Sequence, residues 1–229
     1  MPTIQSNELD IIKSFIKSGD HIIDIGGNHG DWTNAVAELI EAPVIVDIYE
    51  ANPSLIEELS DIKAADKFML HIRNYAVSDL DKTGLDFWIY SIDGMSGLHR
   101  RDASEEAKFN AGLPEPVKVK VNSCKLDDMY DSEDEYIDFI KIDTEGNELP
   151  ILRGMPGLIK NGCIKTIQFE YGLCTKECGY TLEEAFKLLE SFPYRYRLPE
   201  NTGIIPVVEF VPDMEDYQYS NFVFSKAAI

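Results

Sequence analysis

The chain has 229 residues, 44% of them hydrophobic, with 41 acids against 21 bases and a formal charge of −20. That length supports a sizeable core, the composition excludes a disordered or fibrous chain, and the negative charge argues against nucleic acid as a partner. No apolar run approaches the roughly 18 residues of a membrane span, and the opening stretch "MPTIQSNELDIIKSF" lacks the basic start and apolar core of a signal peptide. The four cysteines, Cys124, Cys163, Cys174 and Cys178, have no neighbouring histidine to complete a zinc set, so free thiols in the cytoplasm are expected.

In chain order, "NELDIIKSFIK" (7–17) has helical spacing of Leu9, Ile12 and Ile16, with Asn7 placed to cap it. "HIIDI" (21–25) is a buried strand, "DWTNAVAELIE" (31–41) a helix, and "APVIVDIYE" (42–50) a second strand. Pro53 opens another helix, "PSLIEELSDIKA", and "FMLHIRNYAV" (68–77) reads as a third strand. This alternation predicts a parallel sheet with right-handed crossovers. "LDFWIYSI" (85–92) and "PVKVKVNS" (116–123) alternate like strands with one wet face, forming an inserted β segment. The polar, glycine-containing residues 93–115 between them predict a mobile lid loop. "LDDMYDSEDEYID" (126–138) reads as a solvated acidic loop or helix face. The sheet resumes with "YIDFIKID" (136–143), followed by helical "ELPILRGMPGLIKNG" interrupted at Gly154 and Pro156, then strand "IKTIQFEY" (164–171). "TLEEAFKLLESF" (181–192) is an amphipathic helix with a capping box of Thr181 and Glu184, and "YRYRLPE" and "YSNFVFSK" supply the last strands. No repeat or linker marks a boundary, so one domain over 1–229 is expected.

The stretch "IIDIGGNHGDWT" (22–33) runs a buried strand into Gly26, Gly27 and Gly30. Such a turn lets backbone amides approach a ligand at the start of a helix. The acid that binds a ribose in these folds ends the second strand about 20 residues on, and Glu50 stands there. A dinucleotide fingerprint needs a second glycine that admits a pyrophosphate. Here Asn28 takes that place, which favours S-adenosylmethionine (SAM), a ligand with no phosphate. Asp24 is placed to hold its ammonium, directly or through water.

"YIDFIKIDTEGNELPILRG" (136–154) sets Asp143 at the carboxyl end of a buried strand, followed by Glu145 and Glu148. Inward-facing, these acids would meet a substrate hydroxyl, a ligand ammonium or a metal. The bland alternative is a helix capped by Asp143 or Thr144 with acids in its first turn. Lys141 reads as a core-edge charge with a paired neighbour.

Together "DIGGNHGDWT", "YEANP", "NYAVSD" (74–79) and "DFIKIDTEGNELPILRG" resemble the FkbM-type SAM-dependent methyltransferases, over about residues 20–155. The resemblance implies a class I methyltransferase (Rossmann-like) α/β fold: a mostly parallel seven-stranded sheet with an antiparallel last strand and flanking helices. It also implies methyl transfer from SAM to an oxygen, often a hydroxyl of a sugar or polyketide. Mapped onto these motifs, the donor site comprises Asp24, Gly26, Gly27, Asn28, Gly30, Glu50, Ala51, Asn52, Asn74, Ala76 and Asp143. Ala51 replaces the family's usual proline, and Asn147 stands where relatives often carry histidine between the last two glutamates.

A sugar hydroxyl is a poor acid, so its methylation calls for a base or a metal. Asp143, Glu145, Glu170 and His99 are the catalytic candidates; His29 and His71 read as a cradle residue and a packed or surface residue. Ser96, Arg100 and Glu148 are the candidates for binding the acceptor, a small molecule or glycan. Asp143 and Glu170, ending strands expected to be neighbours, are also candidate ligands for Mg²⁺ or Mn²⁺. N-methylation on the same fold and a non-catalytic SAM or nucleotide module are the competing readings; a nicotinamide oxidoreductase is disfavoured by Asn28.

Overall fold

The computed structural model describes residues 4–41, 43–92, 94–101, 114–130 and 135–229. The strands are β1 (His21–Ile25), β2 (Ile45–Tyr49), β3 (Met69–Arg73), β4 (Ala76–Val77), β5 (Lys82–Ile89), β6 (Val117–Cys124), β7 (Ile137–Ile142), β8 (Ile164–Tyr171), β9 (Tyr194–Pro199), β10 (Ile205–Pro206) and β11 (Ser220–Ser225). The helices are α1 (Ser6–Phe15), α2 (Asp31–Leu39), α3 (Ile56–Ser60), α4 (Leu126–Met129), α5 (Glu148–Arg153), α6 (Pro156–Lys160), α7 (Leu173–Glu177) and α8 (Leu182–Leu188).

The main sheet has the order β10-β9-β11-β8-β7-β1-β2-β3. Strands β3, β2, β1, β7 and β8 run parallel, and the last strand, β11, enters antiparallel between β8 and β9. This is the expected class I methyltransferase arrangement, with one more strand than predicted: Ile205 and Pro206 pair with β9 at the edge. Near-continuous apolar runs in β1 and β7 fit strands buried on both faces. On one face Ile23, Ile25, Ile140, Ile142, Ile167 and Phe169 pack with α5, α6 and α8. On the other, Ile22, Val46, Ile48 and Phe139 pack with α1, α2 and α3.

Several local expectations are corrected. Asn7 does not cap α1; Gln5 is the N-cap, and Asn7 donates to the Pro199 and Thr202 carbonyls. "FMLHIRNYAV" is two strands, because the Asn74 amide bonds the Glu50 and Ala51 carbonyls and the chain turns away. Ala76 and Val77 then join β6 in a separate three-stranded sheet, β4-β6-β5. The helix from Pro53 is broken into a 3-10 turn, α3 and a second 3-10 turn at Lys63–Asp66. Thr181 caps α8 by accepting from the Glu184 amide, but the Glu184 carboxylate pairs with Arg153 instead of completing the box. Of the predicted lid, residues 93 and 102–113 lie outside the described residues; 94–101 are described, and Gly97 bridges to Trp88.

Candidate active site

The glycine turn at the end of β1 is shaped by the protein itself. Gly26 has φ +84°, and a Cβ there would lie 1.8 Å from the Asp143 carbonyl oxygen. A Cβ on Gly27 would meet Ile48 at 2.3 Å, and one on Gly30, at φ +77°, would meet Ile62 at 2.9 Å. These glycines let β1, β7, β2 and the α3 region close on one another, and the same turn is thereby exposed to a cavity of about 1150 Å³. Asn28 adopts φ +45°, a left-handed conformation that asparagine tolerates.

The cavity lies over the carboxyl ends of β1, β2, β7 and β8, where ligands bind in open α/β sheets. Gly26, Gly27, Asn28, Glu50, Ala51, Asn52 and Ala76 line it. The Glu50 carboxylate accepts from the Asn28 and Asn52 backbone amides at 2.8 and 2.7 Å. Burial raises its pKa above the ordinary value, against the pull of those two bonds. Gly30 caps α2 just behind the wall. Asn74 is not on the wall and acts one step back, through the carbonyls of Glu50 and Ala51. Asp24 is also off the wall: it is fully buried, accepts from the Thr33 hydroxyl at 2.7 Å and stands 3.8 Å from the Lys141 ammonium.

At the other end, Asp143, Glu145 and Glu170 bring carboxylate oxygens within 4.8 Å of one another, the one metal-capable cluster among the described residues. Asp143 and Glu170 share a hydrogen bond. Burial pushes the Asp143 carboxyl up, but the Lys141 ammonium 3.1 Å away outweighs it and holds it below the ordinary value. Burial and the surrounding charges of Glu145, Asp143 and Glu148 push Glu170 well up. The pair therefore favours the anion on Asp143 and the proton on Glu170. Glu145, at φ +59°, is raised to about 7 by burial and the Asp143 charge, against Arg101. Its carboxylate accepts from the Arg101 guanidinium and the Cys174 thiol.

Glu148 lines the cavity, but its carboxylate is engaged with its own loop. It accepts from the Thr144 amide and hydroxyl and from the Gly146 amide at the start of α5. Ser96 lines the wall, its hydroxyl accepting from the Tyr90 amide. Arg100 does not line it; it pairs with Glu115 over the Trp88 ring, and the neighbouring Arg101 is the cation on the wall. His99 is off the wall too, edge-on to Tyr180, its pKa lowered by burial and then by the Arg101 charge.

Sequence reasoning passed over Glu8, Trp32, Cys174 and Tyr219, which the fold brings to the cavity. Glu8 carried a readable signal: it sits at helical spacing from Ile11, Ile12 and Phe15, an acid on an apolar stripe.

Residues 24–196 match the family model of the Methyltransferase FkbM domain. No curated protein matches the chain. Similar solved structures include a putative rRNA-methylase from Clostridium thermocellum (11% identity, TM-score 0.49, covering 99% of this chain and 98% of that one). Others are the N-methyltransferase NodS from Bradyrhizobium japonicum (10%, 0.48, 96% and 93%) and a SAM-dependent methyltransferase from Aquifex aeolicus (10%, 0.47, 97% and 89%). With the family match extending from the Asp24 turn through the carboxylate cluster to β9, the chain belongs to the FkbM methyltransferase domain family and is a SAM-dependent methyltransferase.

Proposed function

We propose that the enzyme methylates a hydroxyl of a sugar, glycan or similar small polyhydroxylated acceptor. The observation that carries this reading is the carboxylate trio Asp143, Glu145 and Glu170 on the cavity wall. When bound, SAM supplies an activated methyl group and a neutral thioether as leaving group. The chain would supply alignment and a proton acceptor, a carboxylate that takes the acceptor hydroxyl's proton as its oxygen receives the methyl group. Asp143, held anionic by Lys141, is the base in this reading, and Glu145, at about 7, is suited to relay the proton near neutrality. The cavity is large enough for a donor and a small acceptor together. Glu50 is assigned to the donor ribose, and the net charge of −20 supports an uncharged acceptor in place of a nucleic acid.

The spacing of the trio favours a second version, in which the three carboxylates hold Mg²⁺ or Mn²⁺ with water completing the shell. The test is an assay of labelled methyl transfer from SAM to a panel of monosaccharides, glycans and amines, with and without EDTA. Methyl ethers formed at equal rates with EDTA support the metal-free base. Loss with EDTA and recovery with Mg²⁺ or Mn²⁺ supports the metal version, and transfer to amines alone overturns the hydroxyl reading.

A further inference from the structure

Residues 216–219, which lead into β11, line the cavity, and their backbone is strained. Tyr217 has φ +53°, a left-handed conformation that a bulky side chain rarely adopts. Its surroundings impose it. The Tyr217 amide donates to the Tyr171 hydroxyl at 3.1 Å, and that hydroxyl donates to Glu215 at 3.0 Å. The rings of Tyr171 and Tyr217 stack with centroids 5.5 Å apart. Asp216 accepts from the Gln218 amide at 2.9 Å and pairs with Arg197 at 2.9 Å. Strain held by this many contacts is typical of places where the backbone must aim a side chain at a ligand.

The side chain so aimed is Tyr219. Strand β11 runs antiparallel to β8, with Ser220 opposite Tyr171 and Asn221 opposite Glu170. The start of β11 therefore lies at the carboxyl end of β8, beside the carboxylate trio. Tyr219 reaches the cavity there, its Cα 3.6 Å from where a Cβ on Gly172 would lie, and it shares a hydrogen bond with the Asn221 side chain. Burial, then the charges of Glu170 and Asp143, raise its pKa, so the phenol keeps its proton. In the hydroxyl reading, Asp143 takes the proton of the oxygen that is methylated. One carboxylate does not distinguish that oxygen from its neighbours on a polyhydroxylated ring, whereas a second polar contact does. Two other polar groups beside the trio are engaged within the protein: Arg101 holds Glu145, and Glu148 holds Thr144 and Gly146. A phenol both donates and accepts, so Tyr219 can keep Asn221 and still bind an acceptor hydroxyl.

We propose that Tyr219 is a specificity-determining residue: its hydroxyl binds the acceptor hydroxyl adjacent to the one that is methylated. The acceptor class is then a vicinal diol, and the 216–219 turn sets which of the two oxygens meets Asp143. The proposal rests on the hydroxyl-methylating reading of the site and adds the contact that fixes its regiochemistry.

The test pairs Tyr219→Phe, which removes only the phenol oxygen, with two probes: the monosaccharide that the wild-type chain methylates best, and its deoxy form lacking the neighbouring hydroxyl. Tyr219→Phe, with native circular dichroism and wild-type calorimetric affinity for SAM, should lower kcat/KM for the monosaccharide about 10-fold. The deoxy form should lose about as much with the wild-type chain and nothing further with the variant, because the two changes remove the same bond. The variant's product should also carry the methyl group on both oxygens by NMR. Additive losses, or unchanged kinetics with a single regioisomer, overturn the proposal, as does a methylated acceptor with no adjacent hydroxyl. A loss of SAM affinity in Tyr219→Phe puts the hydroxyl at the donor and overturns it too. Transfer to amines alone, or to no sugar offered, overturns the hydroxyl reading itself and the proposal with it.

Discussion

Gly26 shows why a motif is easier to see than its reason. The glycine spacing marks a tight turn, and the sequence suggests that a ligand presses against it. The closer neighbour is the carbonyl of Asp143, reached only when β1 and β7 lie side by side more than a hundred residues apart in the chain. Gly26→Ala is therefore a folding variant first: a Cβ at 1.8 Å from backbone, at φ +84°, should cost about 3 kcal/mol or more in urea unfolding. Glu50 is the opposite case, legible from its place at the end of β2. Glu50→Ala should weaken SAM binding by about 1.5–3 kcal/mol in a calorimetric titration, the scale for losing a charged hydrogen-bond partner. Unchanged affinity would remove Glu50 from the site. Arg100 and Arg101 show the limit of residue-level reading: one position separates an exposed cation from one on the wall, and nothing in "GLHRRD" distinguishes them before the backbone is fixed.

Among the elements, strand ends were legible and side-chain traffic between strands was not. Asp143 and Glu170 end β7 and β8, and their meeting follows once those strands are paired. The contacts of Asp47 could not be read, because they join three strands. This buried carboxylate accepts from His21 at 2.7 Å, His71 at 3.2 Å and Arg73 at 2.9 Å. Burial pushes it up, but bonds from His21, Tyr130 and Arg73 outweigh burial and hold it at about 2, from an ordinary 3.8. A depressed carboxyl stabilises the fold above the unfolded value and loses that contribution as pH falls through the folded one. Asp47 should thus contribute about 2 kcal/mol at pH 7, lost between about pH 4 and pH 2. Urea titrations of Asp47→Asn should show the deficit at neutral pH and its disappearance in acid; a deficit independent of pH would contradict the ion-pair account. Helix α1 was seen as a helix with Ile12 and Ile16 in the core and Leu9 packed against it, but Glu8, Ile11 and Phe15, buried beside them, were not named.

At the scale of the whole molecule, hydrophobic periodicity was enough for the parallel sheet, and the antiparallel last strand followed from the resemblance to the FkbM family. The short edge strand β10 was missed because two residues carry no period. The cavity was predicted only as a crevice at the strand ends. Its second half depends on α1, the 94–101 segment and the Tyr217–Tyr219 approach to β11, which are brought together by tertiary packing and share no local pattern. Central to the account is that Asp143, charged by Lys141 and facing the cavity, acts in methyl transfer and not merely as a cap for the following turn. The most direct measurement is the rate of labelled methyl transfer from SAM by Asp143→Asn, with SAM affinity measured on the same sample. The account predicts a fall in kcat of about 100-fold or more with the donor still bound. Wild-type turnover by that variant would contradict it.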